Sequence, residues 1–271
     1  MTGSAPASDL TGWRVVPFTG ASLTHDVYEK GTGPGVVLMP EIPGITPQVL
    51  GLADHLVEQG FTVAMPSLFG TPGRPESPLS FMGAFAKLCV SSEFRAFALN
   101  ARRPVADYVR ELARDLNSRT PGPGVGVIGM CFTGGFALAA AVDDAVLAPV
   151  VSQPTVPFPF GGARKADPGL SEEELTTVAA RTTDANLCVL GLRFSEDGIS
   201  PRDRFTTLSK RLGDAFEVIE LDSRKGNAAG FAKGAHQVLT VEVREEPGHP
   251  AFAARERVVA FLRERLVDAA A

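Results

Sequence analysis

The stretch that decides the fold is VIGMCFTGGF, residues 127–136. An apolar run here reaches Cys131, which is followed by small residues and then by an apolar helical segment. A nucleophile on a sharp strand-to-helix turn needs small residues two positions before and two positions after it, and Gly129 and Thr133 occupy those positions. The pattern predicts that Cys131 is an exposed nucleophile at a helix N-terminus, whose partial positive charge favours the thiolate. The alternative is a structural cysteine buried in a glycine-rich turn.

Alternating strands and helices extend in both directions from this stretch. Residues 35–40 (GVVLMP) and 61–66 (FTVAMP) are short apolar runs typical of strands buried on both faces, and the helical pattern of residues 47–60 separates them. A β-α-β order implies a right-handed crossover and a parallel sheet. The alternation continues to the C-terminus without a linker, so we expect one doubly wound α/β domain with a mostly parallel sheet, residues 1–271.

Three segments depart from this alternation. Two polar-alternating runs within residues 13–30 predict an N-terminal antiparallel hairpin whose turn contains Gly20. Proline and glycine crowd the start of residues 67–94, where we expect a loop or a small cap over the sheet. A long helical pattern covers residues 94–116, and Pro104 must either kink that helix or begin a new one.

Composition narrows the class of partner. The formal net charge is −5 and no basic run is interleaved with aromatic residues, so the expected partner is a small molecule rather than nucleic acid. The N-terminal residues lack the basic and apolar regions of a secretory signal, and the most apolar tract is broken by Asp143 and Asp144. We therefore expect a cytoplasmic protein without a membrane partner. The number of cysteines, three, is odd. This argues against a disulfide framework and is compatible with a single reactive thiol.

Cofactor motifs are missing from the sequence. The chain has no G-x-G-x-x-G run and no Gly-Lys-Ser/Thr phosphate loop. No group of histidines and cysteines has the spacing of a zinc site. We expect a reaction that uses neither a cofactor nor a metal.

An activated thiol needs a base, and the base needs a residue that orients it. Of the four histidines, two precede Cys131 and His249 lies where the last helix should begin. His236 follows the last predicted strand on a glycine-flanked loop, as the order nucleophile, acid, histidine requires. Asp197 and Glu196 both follow the strand before it, and we prefer Asp197 because it precedes a glycine at the turn. A carboxylate that only stabilises the turn is the alternative for Asp197.

The strand before the first predicted helix also ends unusually. Glu41 follows the buried run directly and lies between two prolines. A carboxylate at the top of a central strand is unfavourable unless it faces a site. The backbone N–H groups of Ile42 and Phe132 are placed to stabilise an oxyanion together.

Four motifs, PEIPGI, GMCFTGG, FSEDGISP and GAH, resemble those of the dienelactone hydrolase family of α/β-hydrolases. The resemblance covers roughly residues 35–266. It implies a Cys–His–Asp triad, a glutamate that contacts the resting thiol and takes its proton, two oxyanion amides, and hydrolysis of an ester or lactone through an acyl-cysteine. The corresponding residues here are Cys131, His236, Asp197, Glu41, Ile42 and Phe132.

Two positions differ from the family pattern. The family's elbow usually reads G-x-C-x-G-G, and Thr133 takes the place of its first glycine after the cysteine. Members that bind the dienelactone carboxylate carry an arginine four residues after the histidine, where this chain has Thr240. Arg95 is our candidate for a substrate-binding replacement, and Arg244 is a second. The family resemblance therefore predicts the type of reaction better than it predicts the substrate.

Three functions are compatible with this sequence. The preferred one is a cysteine-dependent hydrolase of carboxylic esters or lactones. The same site could instead perform acyl transfer or lactone rearrangement in a biosynthetic pathway. A non-catalytic module that binds a ligand on the same fold is the third.

Overall fold

A computed structural model describes residues 3–79, 82–83 and 91–268. Its centre is an eight-stranded sheet with the order β1-β2-β4-β3-β5-β6-β7-β8. The strand pairs β1–β2 and β2–β4 are antiparallel, and all the others are parallel. The strands are β1 Arg14–Gly20, β2 Leu23–Lys30, β3 Gly35–Met39, β4 Thr62–Pro66, β5 Val125–Met130, β6 Val146–Ser152, β7 Val189–Phe194 and β8 Phe216–Leu221.

Helices cover both faces of the sheet. Those that the structure describes are α1 Pro47–Glu58, α2 Pro104–Arg119, α3 Gly134–Ala140, α4 Gly162–Ala166, α5 Glu172–Asp184, α6 Arg202–Leu212 and α7 Pro250–Leu266, with short 3-10 turns at Cys131–Thr133 and Gly213–Ala215. Helices α1 and α7 pack on one face, and α2, α3, α5 and α6 pack on the other. Successive residues of a strand point to opposite faces of the sheet. Val36 therefore packs in the core under α1 and α7, and Val37 packs in the core on the other face. This arrangement confirms the expected doubly wound α/β sheet with an N-terminal antiparallel hairpin.

Two local predictions need correction. The hairpin turn consists of Ala21 and Ser22, both with positive φ, and Gly20 is the last residue of β1. A two-residue hairpin turn that matches the strand twist requires that left-handed backbone at both positions. Pro104 begins a new helix, which confirms one of the two predicted alternatives, but residues 94–103 before it are not helical. A proline disfavours helical backbone in the residue before it, and Arg103 is extended.

The cap predicted for residues 67–94 lies partly outside the described residues, namely at 80, 81 and 84–90. Within the part that is described, residues 67–77 are irregular chain that follows β4. Among the helices of the described ranges, none combines the length and the apolar character needed to cross a bilayer.

Candidate active site

Cys131 lies on a strained turn between β5 and α3. Its φ of 54° is in the left-handed region, and only 8% of the residue's surface is exposed. A Cβ atom on Gly129 would lie 2.4 Å from the carbonyl oxygen of Thr133, so that position accepts only glycine. The turn has the compact geometry that the sequence pattern predicts, and it lies at the carboxyl edge of the parallel strands. The expected exposure of Cys131 is wrong, because the residue is buried in an apolar cluster with Ile42 and Phe132.

Thr133 joins this turn to the neighbouring strand. Its hydroxyl accepts a hydrogen bond from the N–H of Met130 at 3.0 Å. Three carbonyl oxygens surround the same hydroxyl and compete for its hydrogen, those of Met130 at 2.9 Å, Met39 at 3.2 Å and Pro40 at 3.3 Å. The threonine therefore ties the elbow to the end of β3, a contact that glycine could not make.

His236 and Asp197 form a hydrogen-bonded pair on the loops that follow β8 and β7, with Asp197 buried and His236 partly buried. The Nδ1–H of His236 donates to Oδ2 of Asp197 at 2.6 Å, which leaves Nε2 facing away from the carboxylate. The other oxygen of Asp197 accepts from the N–H groups of Ile199 at 3.0 Å and Ser200 at 3.1 Å. Asp197 thus orients the imidazole and also stabilises its own turn. Glu196, the other candidate, is exposed.

The thiol of Cys131 affects the protonation of the imidazole of His236. Burial by itself lowers the pKa of His236, but the charge of Cys131 and the hydrogen bond to Asp197 outweigh it and raise that pKa well above its ordinary value. The Nε2 atom of His236 is buried and makes no well-formed hydrogen bond with a described residue. Such contacts often tighten only when substrate binds.

Thr155, on the loop after β6, is the second neighbour of the thiol. Its Oγ1 lies 4.0 Å from Sγ of Cys131, and its N–H donates to the Cys131 carbonyl at 3.0 Å. The guanidinium of Arg204, fully buried, holds this loop through the carbonyls of Pro154 at 2.6 Å and Pro157 at 2.7 Å. A buried cation thus fixes an irregular loop that contacts Cys131.

Glu41 is 1% exposed and both of its carboxyl oxygens have partners. The hydroxyl of Thr240 donates to Oε1, and the side-chain amide of Gln153 donates to Oε2 at 3.1 Å. Burial, opposed by these hydrogen bonds and by the charge of His236, raises the pKa of Glu41 to about 7. Thr240, which stands where carboxylate-binding members of the family have an arginine, therefore donates to Glu41 through an uncharged hydroxyl.

The two expected oxyanion amides belong to buried residues beside Cys131. Ile42 is 4% exposed, and its N–H makes no hydrogen bond within the described part of the chain. Phe132 is fully buried in the first turn of the 3-10 helix, where N–H groups have no partner within the helix. Both amides are available to an oxyanion.

Arg95 is not brought together with these residues. Its side chain is exposed and its guanidinium donates to the carbonyl of Arg102 at 3.3 Å. Arg244 donates to the carbonyls of Val241 at 2.7 Å and Val243 at 2.8 Å. Substrate binding by Arg95 stays a prediction, to which the contacts of the described residues add no support.

Sequence reasoning missed three residues of this region, Gln153, Thr155 and Glu76. Gln153 and Thr155 directly follow the apolar run of β6, and polar residues after a buried strand of a parallel sheet are a usable signal. Glu76 accepts a hydrogen bond from the side-chain amide of Gln237, the residue after His236, at 2.6 Å. No sequence signal pointed to Glu76, because its loop has no regular pattern.

Comparison with known proteins gives the same family. The model of the dienelactone hydrolase family matches residues 23–265. A carboxymethylenebutenolidase of Rhodococcus opacus is 32% identical over 117 residues, which span 43% of this chain and only 42% of that protein.

Solved structures resemble the fold over nearly its whole length. A putative dienelactone hydrolase from Klebsiella pneumoniae has a TM-score of 0.59 at 16% identity, over 93% of this chain and 99% of that one. A dienelactone hydrolase-like promiscuous phosphotriesterase from metagenomic libraries has a TM-score of 0.60 at 16% identity, over 94% and 98%. At such identities these two likenesses concern the fold alone. The family match over residues 23–265, by contrast, shows that the chain belongs to the dienelactone hydrolase family.

Proposed function

We propose that this protein is a cysteine-dependent hydrolase of carboxylic esters or lactones that acts through an acyl-cysteine intermediate. The observation that carries the proposal is the hydrogen-bonded pair of His236 and Asp197, whose imidazole interacts with a cysteine on a strained, glycine-packed turn. A nucleophile, a base and a residue that orients the base are the three parts of such a triad. A structural cysteine would need none of this arrangement.

The proposed reaction begins with the thiolate of Cys131, which attacks the carbonyl carbon of the bound ester. The N–H groups of Ile42 and Phe132 stabilise the oxyanion of the tetrahedral intermediate. His236, whose raised pKa keeps it protonated as the imidazolium, gives its Nε2 proton to the leaving alkoxide, and the acyl-cysteine forms. A water molecule that loses its proton to His236 then attacks the thioester and releases the acid.

Glu41 is proposed to take the proton of the Cys131 thiol when substrate arrives, as the family resemblance implies. A carboxyl group with a pKa of about 7 can take up or release a proton near neutral pH. The hydrogen bonds from Thr240 and Gln153 support this role because they hold the carboxyl group in place while its charge changes.

The test is hydrolysis of 4-nitrophenyl hexanoate by the purified full chain. Cys131→Ala and His236→Ala should each lower kcat/KM on the order of 10³-fold or more, the usual size of a triad loss. Cys188→Ala is the matched control, since Cys188 precedes β7 and its sulfur accepts from Arg265 instead of facing the site. Unchanged turnover in either triad variant would refute the proposal.

Mass spectrometry of the acylated protein identifies the intermediate. The mass of the hexanoyl group should appear on the peptide that contains Cys131 and should disappear on incubation with water alone. An acyl group that leaves only after an alcohol or amine acceptor is added would instead identify an acyltransferase. Failure to acylate Cys131 during measurable hydrolysis would contradict the covalent mechanism.

A further inference from the structure

One side of the nucleophile is apolar. Cys131 packs in the same buried cluster as Ile42, Leu68 and Phe94. The ring of Phe132, the next residue, lies 5.2 Å from that of Phe94 and 6.1 Å from that of Phe69, measured between centroids. Phe94 and Phe132 are buried, and Phe69 is half-buried, so Phe69 is the ring of this edge-to-face cluster that a ligand can reach.

The other side is acidic. Glu41 is buried beside His236, and the carboxylate of Glu76 is held at this end of the sheet by Gln237 at 2.6 Å. Burial is the main cause of the raised pKa of Glu41, and the negative charge of Glu76 also raises it. The two carboxyl groups are therefore close enough to interact electrostatically. Among the residues that the structure describes, no lysine or arginine pairs with either of them.

The position that carries a cation in carboxylate-binding members holds Thr240, whose hydroxyl donates to Glu41. The two arginines that could have replaced that cation, Arg95 and Arg244, donate to backbone carbonyls elsewhere. A substrate carboxylate placed on this side would therefore meet the charge of Glu76, and the imidazolium of His236 is already paired with Asp197 and does not balance a second anion. That encounter is unfavourable.

We propose that the site selects uncharged esters or lactones with an apolar acyl group and discriminates against substrates that carry a carboxylate. The apolar cluster beside Cys131, whose half-buried ring is Phe69, receives the acyl group, and the carboxylate of Glu76 repels an anion. This inference rests on the hydrolase activity proposed above and adds the chemical class of its substrate.

The experiment compares two esters that differ in one terminal group. 4-Nitrophenyl hexanoate and mono-4-nitrophenyl adipate share a leaving group and the length of the acyl chain, but the adipate ends in a carboxylate that is ionised at neutral pH. The wild-type kcat/KM, corrected for the uncatalysed rate of each ester, should favour the hexanoate by about tenfold or more. Raising the salt concentration to about 0.5 M should narrow the ratio, because salt screens the repulsion.

Glu76→Gln tests the source of the discrimination. The ratio should shift toward the adipate by about threefold, the scale of an interaction with an exposed charge. Glu58→Gln is the matched control: it removes the same charge at the C-terminal end of α1, which lies at the opposite edge of the sheet, and should leave the ratio as in the wild type.

The outcomes separate this inference from the proposed function. Hydrolysis of both esters at equal rates, or faster hydrolysis of the adipate, would overturn the charge selectivity and leave the hydrolase intact. An equal shift in Glu76→Gln and Glu58→Gln would also overturn it, because net charge alone would then explain the preference. Hydrolysis of neither ester would overturn the proposed function and this inference with it.

Discussion

The hydroxyl of Thr133 offers a sharp test of how the elbow is held. Thr133→Val keeps the shape of the side chain but removes the acceptor for the Met130 N–H and the donor to the carbonyls of Met39 and Pro40. Because Thr133 is fully buried, water cannot take the place of the lost hydroxyl as a partner for these backbone groups. An unpaired buried donor costs about 1–3 kcal/mol. For a chain of 271 residues, with about 2 cal/mol/K of unfolding entropy per residue, that corresponds to a fall in Tm of roughly 2–6 °C.

The same change should affect catalysis. Met39 and Pro40 immediately precede the segment that supplies the Ile42 amide, so a loosened elbow changes the spacing between that amide and the amide of Phe132. The loss of one oxyanion donor lowers kcat by about 10²-fold or more, and a displaced donor should give a loss of roughly 10- to 100-fold in kcat with little change in KM.

Thr133→Ser is the matched control because it keeps the hydroxyl. Thermal unfolding and steady-state hydrolysis of 4-nitrophenyl hexanoate should show the serine variant close to wild type and the valine variant reduced in both Tm and kcat. Equal losses in the two variants would show that the methyl group, and not the hydroxyl, matters. Wild-type behaviour of Thr133→Val would refute the reasoning altogether.

Two further predictions concern the titrating groups. Asp197→Asn should lower kcat by about 10²- to 10⁴-fold and should also lower the pKa of His236, because the Asp197 carboxylate helps to raise it; an NMR titration of His236 that matches the wild type would contradict this. In the folded protein the pKa of Glu41 is about 7, and its ordinary value is 4.5. Between these two pH values the folded state retains a proton that the unfolded state releases. This contribution to stability is lost as pH rises through 7. Wild-type Tm should therefore fall relative to that of Glu41→Gln between about pH 5 and pH 8, and parallel Tm curves would exclude a buried carboxyl of raised pKa.

Much of the site's location followed from the order of strands. Cys131, Asp197 and the segment that carries His236 each follow a strand, and parallel strands of one sheet end at a common edge. That rule is sufficient to expect Asp197 near His236, and the structure places them 2.6 Å apart. The catalytic roles of these residues stay predictions until the variants are measured.

The partners of Glu41 could not be found in this way. Gln153 and Thr240 come from loops after different strands, and their contacts with Glu41 depend on how those loops pack rather than on any local pattern. The helical periodicity of residues 94–103 was misleading for a related reason. Phe94 and Ala96 are buried in the core without a helix, so their apolar character reflects tertiary packing.

The strand order also has a consequence for biosynthesis on the ribosome. The central strand β3 pairs on one side with β4 and on the other with β5, where Val37 is opposite Val127. Contacts between segments so distant in sequence slow the folding of a domain. The sheet cannot close around β3 until the chain as far as the elbow has emerged, and His236 emerges later still. A nascent chain therefore displays Cys131 before it contains His236, so the proposed pair can form only when synthesis is nearly complete.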